Sequence, residues 1–202
     1  MDQLIALFGL NTEQGLWYVT RSAGLIAYLL LWLSTVWGLA VASKIFDPLL
    51  FRAFTFDVHE FLSLIAILFT LVHIGVLVID AYLPFSLIDL LVPFVAPYRP
   101  VWVGMGVIGL YLTVLVTVTF YLKTRIGQAR FRTIHLLSFA AYAAVTVHSL
   151  FSGTESKLAA TQLTYAGSAL AVVLLSIYWL MRARQKKPIA RPTGAAKPGG
   201  AS

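Results

Sequence analysis

Apolar residues dominate five stretches of the chain, 16–42, 58–79, 101–122, 131–151 and 161–181, and polar or proline-bearing segments separate them. Each run reaches about 20 residues, the length a helix needs to cross the hydrocarbon core of a bilayer. The pattern predicts an all-α, polytopic membrane helix bundle of about five transmembrane helices plus a short interfacial segment. Residues 1–15 are mixed in character and read as that N-terminal interfacial segment. Residues 16–181 form the membrane domain. Residues 182–202 hold Lys, Arg, Pro, Gly and Ala without an apolar period and read as a disordered basic tail.

The connections add detail. Asp57 is placed to cap the second helix, with Glu60 in its first turn. The stretch 83–97 is apolar but carries Pro84, Pro93 and Pro97. Its helical piece, 85–92, is too short to span. It is expected to lie in the interface or to fold back over the bundle as a lid. Gly24 and Gly38 in the first helix, and Gly104, Gly106 and Gly109 in the third, allow a neighbour to approach closely.

Composition supports the membrane reading and removes several chemistries. The chain is 59% hydrophobic and 11% charged, far from a soluble domain. It has no cysteine, which excludes disulfides, thiolate-held clusters, c-type haem attachment and cysteine nucleophiles. The net charge of +7 is placed unevenly. Twelve of the 15 Lys and Arg fall in the tail or in segments on the tail's side of the bilayer, and only Arg21, Arg99 and Lys157 fall opposite. That bias places the C-terminus in the cytoplasm and the N-terminus outside, in a multi-pass plasma-membrane protein. The charge reports orientation, so no nucleic-acid partner is expected.

Four histidines stand out against this background. His59 and His73 lie fourteen residues apart in the second run, and His135 and His148 lie thirteen apart in the fourth. Ligating or ionisable side chains inside a membrane are costly and mark function. Each pair spans roughly 20 Å of helix. The topology puts His59 level with His135, and His73 level with His148. Two imidazoles at each of two depths is a geometry for stacked bis-histidine haems, one or two of them, suited to electron transfer. Fourteen residues return His73 to within roughly 40° of His59, whereas thirteen leave His148 roughly 140° from His135 in an ideal helix. The fourth run must therefore be distorted locally, or the two levels rotated. The alternative is a non-redox transport or scaffold bundle, with the histidines as proton relays or interhelical hydrogen bonds.

The chain resembles the ferric reductase-like transmembrane domain family. The family includes the haem-carrying membrane part of NADPH oxidases and ferric-chelate reductases, and the haem subunit of the periplasmic methionine sulfoxide reductase system. The resemblance rests on Arg21, Ser22, Ala23, Gly24 and Leu25 opening the first helix, and on His59, Glu60, Phe61, Leu62 and Ser63 with His73. It rests further on Arg132, Thr133, Ile134, His135, Leu136, Leu137 and Ser138 with His148, and on Pro97, Tyr98, Arg99 and Pro100. It covers 16–181. It implies b-type haem held by His59, His135, His73 and His148 as metal ligands, with Arg21, Arg99 and Arg132 as cofactor-binding arginines. It implies electron transfer across a bacterial membrane, as a component of an oxidoreductase system. No flavin or nicotinamide domain follows the last run, so the donor is expected to be a separate flavoprotein, a periplasmic redox protein or a quinol. Quinone or flavin is a further cofactor expectation.

Overall fold

The computed structural model describes residues 13–80, 85–153 and 156–185. The expected interfacial segment up to residue 12 and the expected tail beyond residue 185 lie outside the described residues. Within them are eight helices: α1 (Glu13–Ala42), α2 (Arg52–Ile79), α3 (Leu87–Leu91), α4 (Pro100–Tyr121), α5 (Lys123–Ile126), α6 (Gln128–His135), α7 (Leu137–Ser152) and α8 (Ala159–Gln185). Five stretches are long and apolar enough to cross a membrane: α1, α2, α4, the joined α6–α7 stretch and α8. The protein is an all-α, multi-pass membrane bundle, with no strand among the described residues.

Three boundaries differ from the sequence expectation. Helix α1 takes in residues from Glu13, part of the expected interfacial segment. Helix α2 begins at Arg52, not at 58, so Asp57 lies inside it and caps nothing; Phe51 occupies the cap position without a side-chain bond. The apolar stretch ahead of Asp57 continues the helix instead of looping. Helix α8 runs to Gln185, beyond the apolar run that ends at 181.

The fourth span is interrupted where the angular argument requires it. Helix α6 ends at His135, Leu136 is a turn, and α7 restarts at Leu137. Tight i→i+3 bonds bracket the break: Leu136 N–H donates to Thr133 C=O at 3.3 Å, and Phe139 N–H to Leu136 C=O at 3.2 Å. Such a 3₁₀-type turn inside a helix shifts the facing of everything beyond it.

Helix α1 packs chiefly on α2, and α4 chiefly on α7. The two pairs meet through α1 and α7, and α8 lies against α1. Helices α2 and α7, which carry three of the four histidines, share no extensive packed face. At the centre, Tyr28, Leu39, Tyr142, Tyr165 and Val172 form a buried cluster that ties α1, α7 and α8 together. Hydroxyls there have no water to turn to, so they must pair with each other. Tyr28 Oη pairs with Ser168 Oγ and lies 3.3 Å from Tyr142 Oη, and Tyr142 donates to Ser168 Oγ at 3.1 Å. Trp32 adds a bond from its indole N–H to the Ser168 carbonyl at 3.2 Å.

Helix α3 is a single short turn with a complete capping box. The Ser86 hydroxyl accepts from Asp89 N–H, and the Asp89 carboxylate accepts from Ser86 N–H at 2.9 Å. Phe85 and Leu90 turn inward and pack with Ala96 and Val103. The segment thus folds back over the end of the bundle.

Candidate functional site

Each of three histidines is set by the same local device. In α2, His73 Nδ1–H donates to the Thr20 carbonyl of α1 at 2.8 Å. Gly24, one turn further along α1, leaves room for the ring: a Cβ there would meet His73 Nδ1 at 3.0 Å. At the other end of α2, His59 Nδ1 lies 3.2 Å from Ser34 Oγ, and a Cβ on Gly38 would meet the His59 ring at 2.9 Å. In α7, His148 Nδ1–H donates to the Trp102 carbonyl of α4 at 2.9 Å, and a Cβ on Gly106 would meet its ring at 2.7 Å. The bonding residue precedes the glycine by four positions each time, so both lie on one face of the supporting helix. Gly24 and Gly38 are fourteen apart, as are His59 and His73.

These bonds fix the imidazole tautomers. A carbonyl can only accept, so His73 and His148 carry the proton on Nδ1 and leave Nε2 as a bare acceptor. At His59 the hydroxyls close a ring: Ser63 Oγ–H donates to His59 C=O at 2.9 Å, Ser34 lies 2.8 Å from Ser63, and Ser34 Oγ is left to accept from His59 Nδ1–H. His135 lacks the device. Its Nδ1 is buried with no partner, and its ring leans on Phe131 at 5.2 Å.

The histidines pair by depth as the topology predicts. The His59 and His135 rings lie 6.0 Å apart, nearly perpendicular at 75°, and the His73 and His148 rings lie 6.5 Å apart at 76°. A cavity of about 670 Å³ surrounds the second pair and not the first. Its mid-bundle walls are apolar, with Ala66, Leu110 and Val145; its loop end carries Thr20, Ser149 and Ser152. The Thr20 hydroxyl is buried without a partner. The chemistry on offer is a pair of imidazoles beside a mainly apolar cavity whose loop end also carries Arg21 and Asp80.

The arginines divide. Arg21 lines the cavity and stacks on Trp17, its guanidinium carbon 3.5 Å from the ring centre. Arg99 sits at the N-cap of α4 and donates to the Phe151 carbonyl at the end of α7. Arg132 is exposed on α6 and is not among the cavity's walls. The residues that sequence reasoning missed are Thr20, Ser34, Ser63 and Trp102. The recurrent four-residue step before each glycine was the signal that marks three of them.

The cofactor expectation is corrected here. Haem b with its iron, and metal binding generally, were expected. Among the described residues no three or more His, Cys, Asp or Glu side chains gather into a group able to hold a metal ion. The reason is the pairing itself: the histidines fall into two separate twos, and no carboxylate or third imidazole joins either.

Residues 15–155 match the family described as Domain of unknown function (DUF8596), and the chain belongs to that family. The match covers α1 through α7 but for the first residues of α1, and stops before α8. No curated protein matches, and no solved structure matches.

Proposed function

We propose that this family member is the membrane component of a transmembrane electron-transfer system, of the ferric reductase-like kind. One observation carries the reading: four partly buried histidines lie in two ring pairs at two levels of the bundle. Isolated membrane histidines would satisfy themselves wherever a partner lay. Here three of the four are held by bonds to a supporting helix, which leaves Nε2 uncommitted. The cavity of about 670 Å³ lies at the His73–His148 level alone.

Charge placement orients the reading. The basic turn with Lys123, Arg125, Arg130 and Arg132, together with Arg182 and Arg184, lies on the cytoplasmic side. That face offers a separate, acidic redox partner its docking charges. The His59–His135 level then sits nearer the cytoplasm, and the N-terminus of α1 lies outside.

The test is electron passage across proteoliposomes that hold ferricyanide, with dithionite outside and protein-free vesicles as the control. Reduction of the trapped ferricyanide should exceed the control and fall at least tenfold in His73→Ala and in His148→Ala. Reduction no faster than in protein-free vesicles overturns the reading.

One observation favours a second reading, a non-redox scaffold. The bonds from His59, His73 and His148 cross between helices and stabilise the bundle unaided. On that reading the substitutions lower thermal stability, and even the unsubstituted protein reduces no trapped ferricyanide.

A further inference from the structure

One short piece of chain closes the loop end of the cavity. Phe85, Leu90 and Tyr98 form part of its wall. The other face of the piece is apolar and turned outward: Leu87, Ile88, Leu91, Val92, Phe94 and Val95 are each 44–66% exposed. Six apolar side chains facing out beside membrane spans lie against acyl chains, not water.

Beyond the apolar contacts of Phe85, Leu90 and Ala96 with Val103, the piece is held by a few directional attachments. The Arg99 guanidinium donates to the Phe151 carbonyl, and the Tyr98 hydroxyl reaches the Ser152 carbonyl at 3.5 Å. Both acceptors are carbonyls at the C-terminal end of α7, where a cation is favoured. Trp102 stacks on Phe151 at 4.3 Å beside them. The Tyr111 hydroxyl holds the Leu91 carbonyl from α4. Two non-glycine residues, Phe94 and Arg99, take left-handed backbone angles of φ 70 and φ 44. Such residues store strain and cluster at switch segments. Phe94 is seated where Gly104 has no side chain; a Cβ there would meet its ring at 2.4 Å. The segment is latched at the end that abuts the cavity and is strained at two bends.

We propose that residues 85–98 form a gate, latched by Arg99 and Tyr98, that opens the cavity to the lipid phase, and that the molecule admitted is an apolar or amphiphilic one drawn from the membrane. The gate serves the cavity of the function proposed above, but it requires no redox step, so either reading can fail alone.

The chain has no cysteine, so a single introduced thiol reports on the cavity. Val107 lines the cavity and is only 5% exposed. Val107→Cys, in membrane vesicles, is labelled with N-phenylmaleimide, which partitions into lipid, or with a sulfonated maleimide, which does not. Adding Arg99→Gln should raise the N-phenylmaleimide rate about tenfold, and Tyr98→Phe should raise it less, with the sulfonated reagent slow throughout. Leu163→Cys, exposed on α8, should keep one rate in all backgrounds. An unchanged N-phenylmaleimide rate overturns the gate. Equal acceleration of both reagents overturns the lipid route, because the opening would then be to water. If Arg99→Gln alters the Leu163→Cys rate, the protein is disturbed as a whole and Tyr98→Phe, which removes one hydroxyl, decides.

Discussion

Glycine at three positions decides where three imidazoles sit. The contact at Gly106 is the tightest, since a methyl there would lie 2.7 Å from His148 Nδ1. Gly106→Ala should push the ring off the Trp102 carbonyl and destabilise the protein by about 1–3 kcal/mol, as forced overpacking does. Gly167, on α8, meets nothing within 4 Å. Gly167→Ala should be neutral, or stabilising by up to about 1 kcal/mol through helix propensity. Thermal unfolding in detergent compares the two. A Gly106→Ala variant as stable as Gly167→Ala would show that the imidazole yields and that the glycine does not position it. At this scale the four histidines, the two glycines of α1 and Gly106 of α4 were legible in the sequence. Periodicity cannot show their bonding partners, since two of these acceptors are backbone carbonyls that any residue supplies.

Among the elements, the interrupted fourth span shows how far spacing can be read. Thirteen residues put His135 and His148 on different faces of an ideal helix, so a distortion was required. Its place was not legible: Leu136 sits between His135 and Leu137, and neither proline nor glycine marks the break. An alanine inserted after Ala140 would rotate His148 by about 100° and leave the break intact. It should separate the His73–His148 pair and abolish electron passage, which the trapped-ferricyanide assay checks. Retained passage would mean that His148 has no part in it. The start of α2 was misjudged because an acidic residue ahead of an apolar run looks like a cap, whereas the helix had already begun one and a half turns earlier.

Helix α3 carries its own pH dependence. Bonds from the Ser86 hydroxyl and backbone hold the Asp89 carboxyl below the usual aspartate range. A lowered folded-state value means that the cap's contribution is present above the ordinary aspartate pKa and is lost as pH falls through the folded one. Asp89→Asn should therefore reproduce at neutral pH the loosening that acid produces. Hydrogen exchange at 86–91 should speed up in this variant, while exchange in the middle of α4 should not. Equal protection at 86–91 would refute the cap's role.

Across the whole molecule, the proposed orientation rests on charge placed at the ends of apolar helices. Twelve of the 15 basic residues fall in segments that the order of spans assigns to the side of the C-terminus. A phosphatase reporter fused after Ser202 should be inactive, and a fluorescent reporter at the same place should be bright. The reverse pattern would invert both histidine levels. Span number and bundle class were legible because the bilayer requires long apolar runs. The arrangement of spans was not. That α1 sits between α2 and α8, and that α2 and α7 stand apart, depend on side-chain fit across helices distant in sequence.

The hydroxyl junction of Tyr28, Tyr142 and Ser168 bears on how the protein is made. A membrane chain enters the bilayer in order, from its first helix to its last. Until α8 arrives, Ser168 Oγ, which accepts from Tyr142 and pairs with Tyr28, is missing. The family match stops at residue 155, before α8. The last helix therefore acts as a keystone: a nascent chain that has delivered its histidines still lacks the oxygen on which its two buried tyrosines meet.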